Sequence, residues 1–231
     1  MLFDLDDTLH DDTRAYQSAA EAVAHELAAE HGIDALALKA AYVAEAEGFW
    51  ARLTPEALGT RLASVRAQMW HRALALVGLD DAGLAQRSAD RYNAHRKKFL
   101  ELFPGTLDLL HGLRSDGKRL GLVTNGFAET HREKIELLRI GECFDAIFIA
   151  DEVGMVKPDP QLFAYACAKL DAAPMHGAMV GDRYERDIRG ALDAGLYTVW
   201  LNIRDERVPP GEPHPHVLAH SLAEVAAALR G

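Results

Sequence analysis

The sequence predicts an α/β fold in which helices cover both faces of a parallel sheet and a second, helical segment is inserted near the start. Two observations support this prediction. From Phe103 onward, short apolar runs alternate with helical periods, which is typical of repeated βα units. Between residues 12 and 100, alanine-rich helical periodicity continues with almost no strand-like segment.

The alternating part of the chain divides at turn residues and helix caps. Gly117 and Gly195 lie where a helix C-terminus favours a left-handed residue, and Ser221 with Glu224 forms a capping box for the last helix. The proline-rich segment 207–216 is expected to be a surface excursion. The predicted strands are 119–124, 145–150, 177–181 and 197–201, and the predicted helices are 106–115, 128–139, 160–170 and 187–194.

Breaks in the helical segment predict four helices. The breaks fall at 32–34, 53–55 and 78–81, and at the second of these Thr54 can serve as N-cap with Pro55 as the first helical residue. The predicted boundaries are therefore residues 1–11 and 101–231 for the sheet-containing unit and 12–100 for the helical insertion.

Composition excludes several classes of function. The chain of 231 residues has a formal net charge of −10, so no overall field attracts nucleic acid or anionic lipid. No apolar run is long enough to span a membrane, and no signal peptide is recognisable at the N-terminus. Cys143 and Cys167 fit no zinc or disulfide pattern and are expected to be free thiols. We expect a cytoplasmic protein that binds neither nucleic acid polymers nor membranes.

Acidic residues follow the first apolar run at once. Asp4 and Asp6 are two residues apart, so in an extended chain they lie on one face. Carboxylates commonly end strands and enter turns, and this pair alone is weak evidence for catalysis. The run Met1–Phe3 is also shorter than a usual buried strand, and we expect further residues to precede it in the natural protein.

Polar residues also stand at the end of strand 119–124 and ahead of helix 160–170. Thr124, together with backbone N–H groups near Asn125, can donate hydrogen bonds to phosphate oxygens. Because a helical period follows directly, Asn125 has the alternative role of a helix cap. Lys157 precedes a proline and therefore starts from extended backbone, although a single lysine is normally a solvated surface group.

Two further carboxylates follow strand 177–181. Asp182 leaves the strand directly, whereas Asp187 begins the next helix, where an N-terminal position suits its charge. An N-cap is the ordinary role for Asp187, but Asp182 has no comparable structural role. Because ligands bind beyond the carboxyl ends of parallel strands, we expect the polar residues at these strand ends to converge on one site.

Such a convergence of carboxylates requires cations. Unpaired like charges about 4 Å apart repel by roughly 4 kcal/mol at an effective dielectric of about 20. A hard divalent ion, most simply Mg²⁺, meets this requirement, and Lys157 adds a fixed positive charge that can help to bind a phosphate dianion. The residues therefore predict phosphate monoester hydrolysis, with one carboxylate as nucleophile and Asp6 as acid and base, provided that the environment of Asp6 raises its pKa.

The four motifs together resemble those of the haloacid dehalogenase-like (HAD) hydrolase superfamily, in its phosphatase branch. These phosphatases carry DxDxT, a strand-terminal Thr or Ser, a Lys and GDxxxxD in that order, and the corresponding residues here are Asp4–Thr8, Thr124, Lys157 and Gly181–Asp187. The resemblance implies a Rossmann-like catalytic core, with the helical insertion as a cap domain placed after the first motif.

The resemblance also implies a role for each motif residue. Asp187 acts through water or orients a neighbour. The implied catalytic residues are Asp4, which forms an aspartyl phosphate, and Asp6; the phosphate-binding residues are Thr124, Asn125 and Lys157; the Mg²⁺ ligands are Asp4, Asp6 through its backbone carbonyl, and Asp182.

The substrate implied by the resemblance is a small phosphorylated metabolite, and its choice in this superfamily rests largely with the cap. The stretches 122–126 and 154–158 are more closely similar to the subgroup of pyrimidine 5'-nucleotidases and N-acylneuraminate-9-phosphatase. Aromatic and arginine side chains of the cap could contact a substrate, although at helical spacing they are more often core or surface residues. These candidates are Trp50, Arg52, Trp70, His71, Arg91, Tyr92 and Arg96.

Two rival functions share the same motifs. A sugar phosphomutase would use the same core and return the phosphoryl group to a sugar instead of passing it to water. A non-enzymatic binding module would be favoured if Asp4, Asp6, Lys157 or Asp182 were substituted, and all four are present. The sequence is compatible with a monomer or a homodimer.

Overall fold

A computed structural model describes residues 1–59 and 61–230 of the chain. They form two compact units, one of Met1–Asp11 with Leu102–Gly231 and the other of Asp12–Glu101. In the described part of the chain, no helix combines the length and the apolar character needed to cross a membrane. Cys143 and Cys167 are both free thiols, as predicted.

The unit Asp12–Glu101 is built from helices. Asp34 caps the second of them by accepting hydrogen bonds from the N–H groups of Leu36 and Ala37, at 2.8 and 3.2 Å. Asp81 caps the last by accepting from the Leu84 N–H at 2.9 Å. The helices of the described residues are α1 (Asp12–His31), α2 (Ala35–Ala51), α3 (Pro55–Leu58), α4 (Leu62–Leu76) and α5 (Ala82–Lys98).

The predicted third helix begins where expected but is interrupted. Thr54 caps α3 by accepting from the Ala57 N–H at 3.3 Å, and Pro55 is the first helical residue. However, α3 ends at Leu58, and α4 begins separately at Leu62. Among the described residues, this unit therefore contains four long helices, as predicted, and one additional short helix, α3.

Three aromatic side chains fill the interior of this helical unit. The rings of Tyr42 and Trp70 are stacked at 4.0 Å between centroids, and Tyr92 lies 5.0 Å from Tyr42. All three are almost completely buried. Large aromatic rings bury much apolar area, so these residues stabilise the packing of the helices.

The other unit contains a sheet with helices between its strands. Each buried strand is a short apolar run, as expected for parallel strands covered on both faces. The strands are β1 (Leu2–Phe3), β2 (Gly121–Thr124), β3 (Ala146–Ile149), β4 (Ala178–Gly181), β5 (Tyr197–Leu201) and β6 (Val217–Ala219). The helices are α6 (Thr106–Ser115), α7 (Ala128–Leu137), α8 (Ala150–Val153), α9 (Pro160–Lys169), α10 (Arg189–Asp193) and α11 (Leu222–Arg230).

All six strands are parallel, in the order β3-β2-β1-β4-β5-β6. The chain therefore builds the sheet outward from β1 in both directions. In such a doubly wound sheet the strand order reverses beside β1, and ligands bind at the carboxyl ends of the strands on either side. The predicted fold class, a Rossmann-like α/β core with an inserted helical segment, is confirmed.

Local signals in this unit are also confirmed. Gly117 and Gly195 follow α6 and α10 with φ of 74° and 83°, a region that favours glycine. Ser221 caps α11, because its hydroxyl accepts from the Glu224 N–H at 3.3 Å; the Glu224 carboxylate accepts from the His220 N–H at 2.9 Å, one residue before the expected partner of a capping box.

Two features differ from the prediction. The segment 207–216 leads into a sixth strand, β6, which has only three residues and lies at the sheet edge, too short to give a periodic signal. The predicted helix 187–194 begins earlier, with a π-helical turn at Tyr184–Ile188, and continues as α10. A π-helical turn has no distinctive hydrophobic period, and such turns often lie at functional sites.

Candidate active site

The first motif forms a tight turn at the end of β1. Asp4 follows the strand directly and is 6% exposed. The chain then turns back, because the Leu5 carbonyl accepts hydrogen bonds from the N–H groups of Thr8 and Leu9, at 3.4 and 3.0 Å. This turn returns the Thr8 hydroxyl to within 3.3 Å of Asp4 Oδ2.

Thr8 also joins the first motif to the fourth. Its hydroxyl oxygen lies 3.3 Å from Asp182 Oδ1 as well as from Asp4 Oδ2. Thr8 is fully buried and Asp182 is 3% exposed. Because β1 and β4 are neighbours in the sheet, the two aspartates leave adjacent strand ends side by side.

Lys157 occupies the centre of the charged group. Its ammonium lies 2.5 Å from Asp4 Oδ1, 2.6 Å from Asp187 Oδ1 and 3.0 Å from the Val123 carbonyl oxygen. The Lys157 side chain is 2% exposed. Three acceptors match the three protons of an ammonium, so this lysine is a buried and fixed positive charge.

The second motif includes Asn125, whose side chain holds the backbone of Lys157. Thr124 is the last residue of β2 and is 1% exposed. The side chain of Asn125 forms two hydrogen bonds with the backbone of Lys157: its amide nitrogen donates to the carbonyl at 2.9 Å, and its oxygen accepts from the N–H at 2.8 Å. The side chain of Asn125 therefore holds Lys157, and phosphate binding by Asn125 stays a prediction.

Asp187 is a buried carboxylate that contacts Lys157 and the backbone of Arg183. Besides the contact with Lys157, its Oδ2 accepts from the Arg183 N–H at 3.0 Å, which closes the loop after β4. A Cβ at Gly181 would lie 2.4 Å from the Asp187 Cβ, so glycine is required for this close approach. Asp187 thus contacts both Lys157 and the loop after β4, and its role in orienting a neighbour stays a prediction.

The Asp6 carboxylate lies among basic side chains and apart from the carboxylates around Lys157. It is paired with Lys134, whose ammonium lies 2.7 Å from both of its oxygens. His10 Nε2 lies 2.8 Å from Asp6 Oδ1, and His131 Nε2 lies 3.4 Å from Asp6 Oδ2. The Asp6 side chain is 28% exposed, whereas Lys134 and His131 are buried.

The pKa values of two buried carboxyl groups, Asp4 and Asp182, are shifted upward. Burial raises the pKa of Asp4 well above its ordinary value; neighbouring carboxylates raise it further, although Lys157 opposes this. Burial likewise raises the pKa of Asp182 to about 7, with a contribution from Asp187 and opposition from Arg204. The largest cause of both shifts is burial, and the neighbouring carboxylates add to it.

The expected raised pKa of Asp6 is not observed. Burial alone would raise the pKa of Asp6, but Lys134 and His131 outweigh it and hold the pKa well below its ordinary value. Asp4 is therefore the carboxyl group that holds a proton more readily, and Asp6 is the ionised one. Nucleophilic attack by Asp4 requires the reverse order, which a cation bound near Asp4 would favour.

Asp4, Asp182 and Asp187 fit a divalent cation. One carboxylate oxygen of each lies within 4.8 Å of the other two, and all three residues are buried. Carboxylate oxygens are the hard ligands that Mg²⁺ prefers. The Asp6 carboxylate is not part of this group, so the metal ligand predicted at Asp6 can only be its backbone carbonyl. Asp187, predicted to act through water or to orient a neighbour, has a carboxylate oxygen in this group.

A comparison with protein families agrees with this geometry. The model of the haloacid dehalogenase-like hydrolases matches residues 1–195, which include all four motifs. The chain belongs to the haloacid dehalogenase-like hydrolases. The resemblance inferred from the motifs is thereby confirmed, and the chain is an enzyme of this hydrolase family.

Curated relatives of this HAD-like hydrolase are phosphatases. The N-acylneuraminate-9-phosphatase of Mus musculus is 37% identical over 175 residues, covering 74% of this chain and 70% of the relative. The phosphoserine phosphatase of Thermus thermophilus is 32% identical over 250 residues, covering 97% of this chain and 96% of the relative. The phosphatase branch and the similarity to the acylneuraminate phosphatase subgroup are both confirmed.

A solved HAD-hydrolase has the same fold along the whole chain. YfnB from Bacillus subtilis, in a crystal form bound to magnesium, matches with a TM-score of 0.77 and 26% sequence identity. The match covers 100% of this chain and 97% of YfnB. The fold similarity therefore includes the helical segment as well as the sheet.

The sequence did not predict the basic residues that contact Asp6 and Asp182 in this HAD-like hydrolase. His131 and Lys134 both lie on α7, three residues apart and hence on one face, directly after the Asn125 loop. That spacing places both side chains on one face of α7, but it does not show that this face is buried against Asp6. Arg204 follows β5 in an irregular segment without a local pattern, and only the tertiary structure brings it to Asp182.

Most candidate substrate contacts of the helical unit have structural roles. Trp70 and Tyr92 belong to its buried aromatic interior. Arg96 donates to Asp12 at 2.5 Å, and Arg91 donates to Glu30 at 2.7 Å. These side chains already have partners within their own unit, which agrees with the ordinary reading of residues at helical spacing.

Proposed function

We propose that this HAD-like hydrolase is a Mg²⁺-dependent phosphatase that hydrolyses a small phosphorylated metabolite through an aspartyl phosphate on Asp4. The observation that carries the proposal is the position of Lys157, 2.5 Å from Asp4 within a group of buried carboxylates. A fixed ammonium and a divalent cation beside a nucleophilic carboxylate are the elements that bind and activate a phosphate dianion.

The chemistry divides between two carboxylates. Asp4 attacks phosphorus, the bond from phosphorus to the ester oxygen breaks, and Asp6 donates a proton to the leaving alkoxide. Asp6 then removes a proton from water, whose oxygen attacks the phosphorus of the aspartyl phosphate. This step releases inorganic phosphate and regenerates Asp4. For the first step Asp6 must hold a proton, which requires its ion pair with Lys134 to weaken when substrate binds.

Other residues bind the phosphoryl group and the metal ion, or hold a neighbouring residue in place. Lys157 and Thr124 would bind the phosphoryl oxygens, and Asn125 holds the Lys157 backbone. Asp4, Asp182 and Asp187, with the backbone carbonyl of Asp6, would hold Mg²⁺. When bound, Mg²⁺ supplies charge neutralisation at the phosphoryl group. The magnesium bound by YfnB supports this choice of ion.

The substrate class follows from the relatives. One acts on an N-acylneuraminate 9-phosphate and another on phosphoserine, according to their names. Both names describe small, polar monophosphates. We assign the choice between such substrates to the helical unit Asp12–Glu101, acting as a cap domain.

Phosphate release from an aryl phosphate tests the reaction. We expect release in Mg²⁺, none in excess chelator, and none from the Asp4→Asn variant. Asp34→Asn is the matched control, because asparagine caps a helix as well as aspartate and Asp34 lies at the N-cap of α2. Mass spectrometry of acid-quenched protein should detect one phosphoryl group on the wild type and none on Asp4→Asn. Undiminished turnover in chelator would refute the proposal.

A panel of phosphorylated metabolites then identifies the substrate. It should contain nucleotides, sugar phosphates, phosphoserine, phosphoglycolate and an acylneuraminate phosphate, each assayed for free phosphate. The same panel separates hydrolysis from mutase activity, since a mutase converts a sugar monophosphate to its isomer without releasing phosphate.

A further inference from the structure

Arg204 lies between two carboxylates at the edge of the acidic group. Its Nη1 donates to Asp182 Oδ2 at 2.5 Å, and its Nη2 donates to Asp7 Oδ2 at 2.6 Å. The side chains of Asp182 and Asp7 are 1% and 9% exposed. The planar guanidinium thus bridges two buried carboxylates, a geometry that a lysine could not reproduce.

The turn that carries Arg204 is held from both sides. The Asn202 side chain donates to the Glu206 carbonyl at 2.8 Å and accepts from the Glu206 N–H at 2.9 Å, so it closes the turn around Arg204. The Trp200 indole donates to the Asp182 carbonyl at 2.9 Å, which ties the same segment to the end of β4. Arg204 is therefore directed at Asp182 by the backbone on either side of it.

The positive charges of the site are divided among its carboxylates. Lys157 is paired with Asp4 and Asp187, and Arg204 is paired with Asp182 and Asp7. Asp182 is also one of the three carboxylates suited to hold the divalent cation. The guanidinium and a metal ion consequently require the same carboxylate, while the 27% exposed Arg204 side chain has access to solvent.

We propose that Arg204 is the internal counter-ion of the metal-free protein and competes with the divalent cation for Asp182. This inference rests on the Mg²⁺ site of the proposed function. Arg204 stabilises the empty site and lowers its affinity for Mg²⁺, because the metal must share or displace a charge-assisted hydrogen bond and approach a positive charge.

Isothermal titration of chelator-treated protein with MgCl₂ at about pH 8, where Asp182 is ionised, tests this inference. Arg204→Gln should bind Mg²⁺ roughly tenfold more tightly than the wild type, equivalent to about 1.4 kcal/mol. Arg204→Lys keeps the positive charge but cannot bridge both carboxylates. Its Mg²⁺ affinity should lie between those of the wild type and Arg204→Gln. The matched control is Arg183→Gln, since Arg183 Nε is 3.4 Å from the same Asp182 oxygen but its side chain is 49% exposed. Solvent screening should limit its effect to less than about twofold.

Thermal melting provides a second readout on the same proteins. In chelator, Arg204→Gln should melt below the wild type; in saturating Mg²⁺ the difference should shrink, because the ion replaces the missing charge. If Arg204→Gln does not fold in either condition, the titration of Arg204→Lys decides, with an expected gain of about threefold.

The outcomes separate this inference from the proposed function. Equal or weaker Mg²⁺ binding by Arg204→Gln would overturn the inference and leave the Mg²⁺ site in place, with Arg204 orienting Asp182 for the metal. Absence of Mg²⁺ binding by both the wild type and Arg204→Gln would refute the proposed metal dependence and this inference with it.

Discussion

The Lys134 ammonium lies 2.7 Å from both carboxylate oxygens of Asp6. The Lys134 side chain is 2% exposed and that of Asp6 is 28% exposed, so a buried cation holds a carboxylate at the edge of the site. A contact to both oxygens fixes the direction of the carboxylate as well as its charge. Lys134 therefore sets the position from which Asp6 acts.

Replacing Lys134 should reduce turnover. In Lys134→Met the pKa of Asp6 should rise, which favours the acid form, but Asp6 loses the ammonium that fixes its direction. We expect the loss of direction to dominate and kcat to fall by roughly tenfold to a hundredfold, the range of a misplaced general acid. The loss should be larger for an alkyl phosphate than for an aryl phosphate, because an alkoxide depends more on protonation as it leaves. Steady-state assays with both substrates measure this difference.

Two variants control this experiment. Lys134→Arg keeps a cation beside Asp6 and should recover part of the activity. Lys169→Met removes a lysine that lies over the ring of Tyr165, 5.4 Å from its centroid, and should leave kcat unchanged. Equal losses on alkyl and aryl phosphates would contradict a role for Lys134 in placing Asp6.

Lys157 should be essential for stability as well as for activity. Lys157→Met leaves Asp4 and Asp187 buried without their shared cation, and breaking such a buried pair costs about 3–5 kcal/mol. Urea unfolding in chelator at neutral pH measures this cost. The double variant Lys157→Met with Asp187→Asn should recover part of it, because one of the two unpaired charges is removed. No recovery would show that the loss arises from packing.

The strand-end residues were predictable because each belongs to a local pattern. Asp4 and Asp182 each follow an apolar run directly, and parallel strands bring their carboxyl ends to one edge of the sheet. A sequence reader needs only the strands and the topology rule to bring these two residues together. The order of the four motifs then indicated the phosphatases of the HAD-like hydrolase superfamily.

The partners of these residues were not predictable in the same way. Lys134 reaches Asp6 from 128 positions away, and Arg204 reaches Asp7 from 197 positions away. A basic residue on a helix or in a loop gives the same local signal whether it is solvated or buried against a carboxylate. For the same reason the direction of the Asp6 pKa shift could be obtained only from the structure.

Trp70 should affect stability and leave substrate affinity unchanged. Its ring is fully buried and stacks on Tyr42 at 4.0 Å, so Trp70→Ala should lower the free energy of unfolding by about 3–5 kcal/mol. Trp70→Phe keeps an aromatic ring and should cost less. At a temperature well below melting, the KM of Trp70→Phe should change by less than about twofold. A large rise in KM without a loss of stability would make Trp70 a substrate contact.

Stability of the metal-free protein should depend on pH through Asp182. Its pKa in the folded protein is raised to about 7, above the value of about 3.9 for an unperturbed aspartate. Folding therefore takes up a proton between these two values. The resulting stabilisation is complete below about pH 4 and is lost as the pH rises through about 7, where Asp182 ionises beside other buried carboxylates. In chelator, the melting temperature should fall between about pH 5 and about pH 8.

Comparison with Asp182→Asn isolates this contribution. The amide does not ionise, so in chelator the variant should lose less stability than the wild type over the same pH range. Saturating Mg²⁺ should also flatten the wild-type profile, because a bound cation favours the ionised carboxylate and offsets the lost proton. Differential scanning fluorimetry across pH, with chelator and with Mg²⁺, measures both effects. If the wild type and Asp182→Asn in chelator had parallel profiles, the pH dependence would originate in other groups and Asp182 would already be ionised in the metal-free protein.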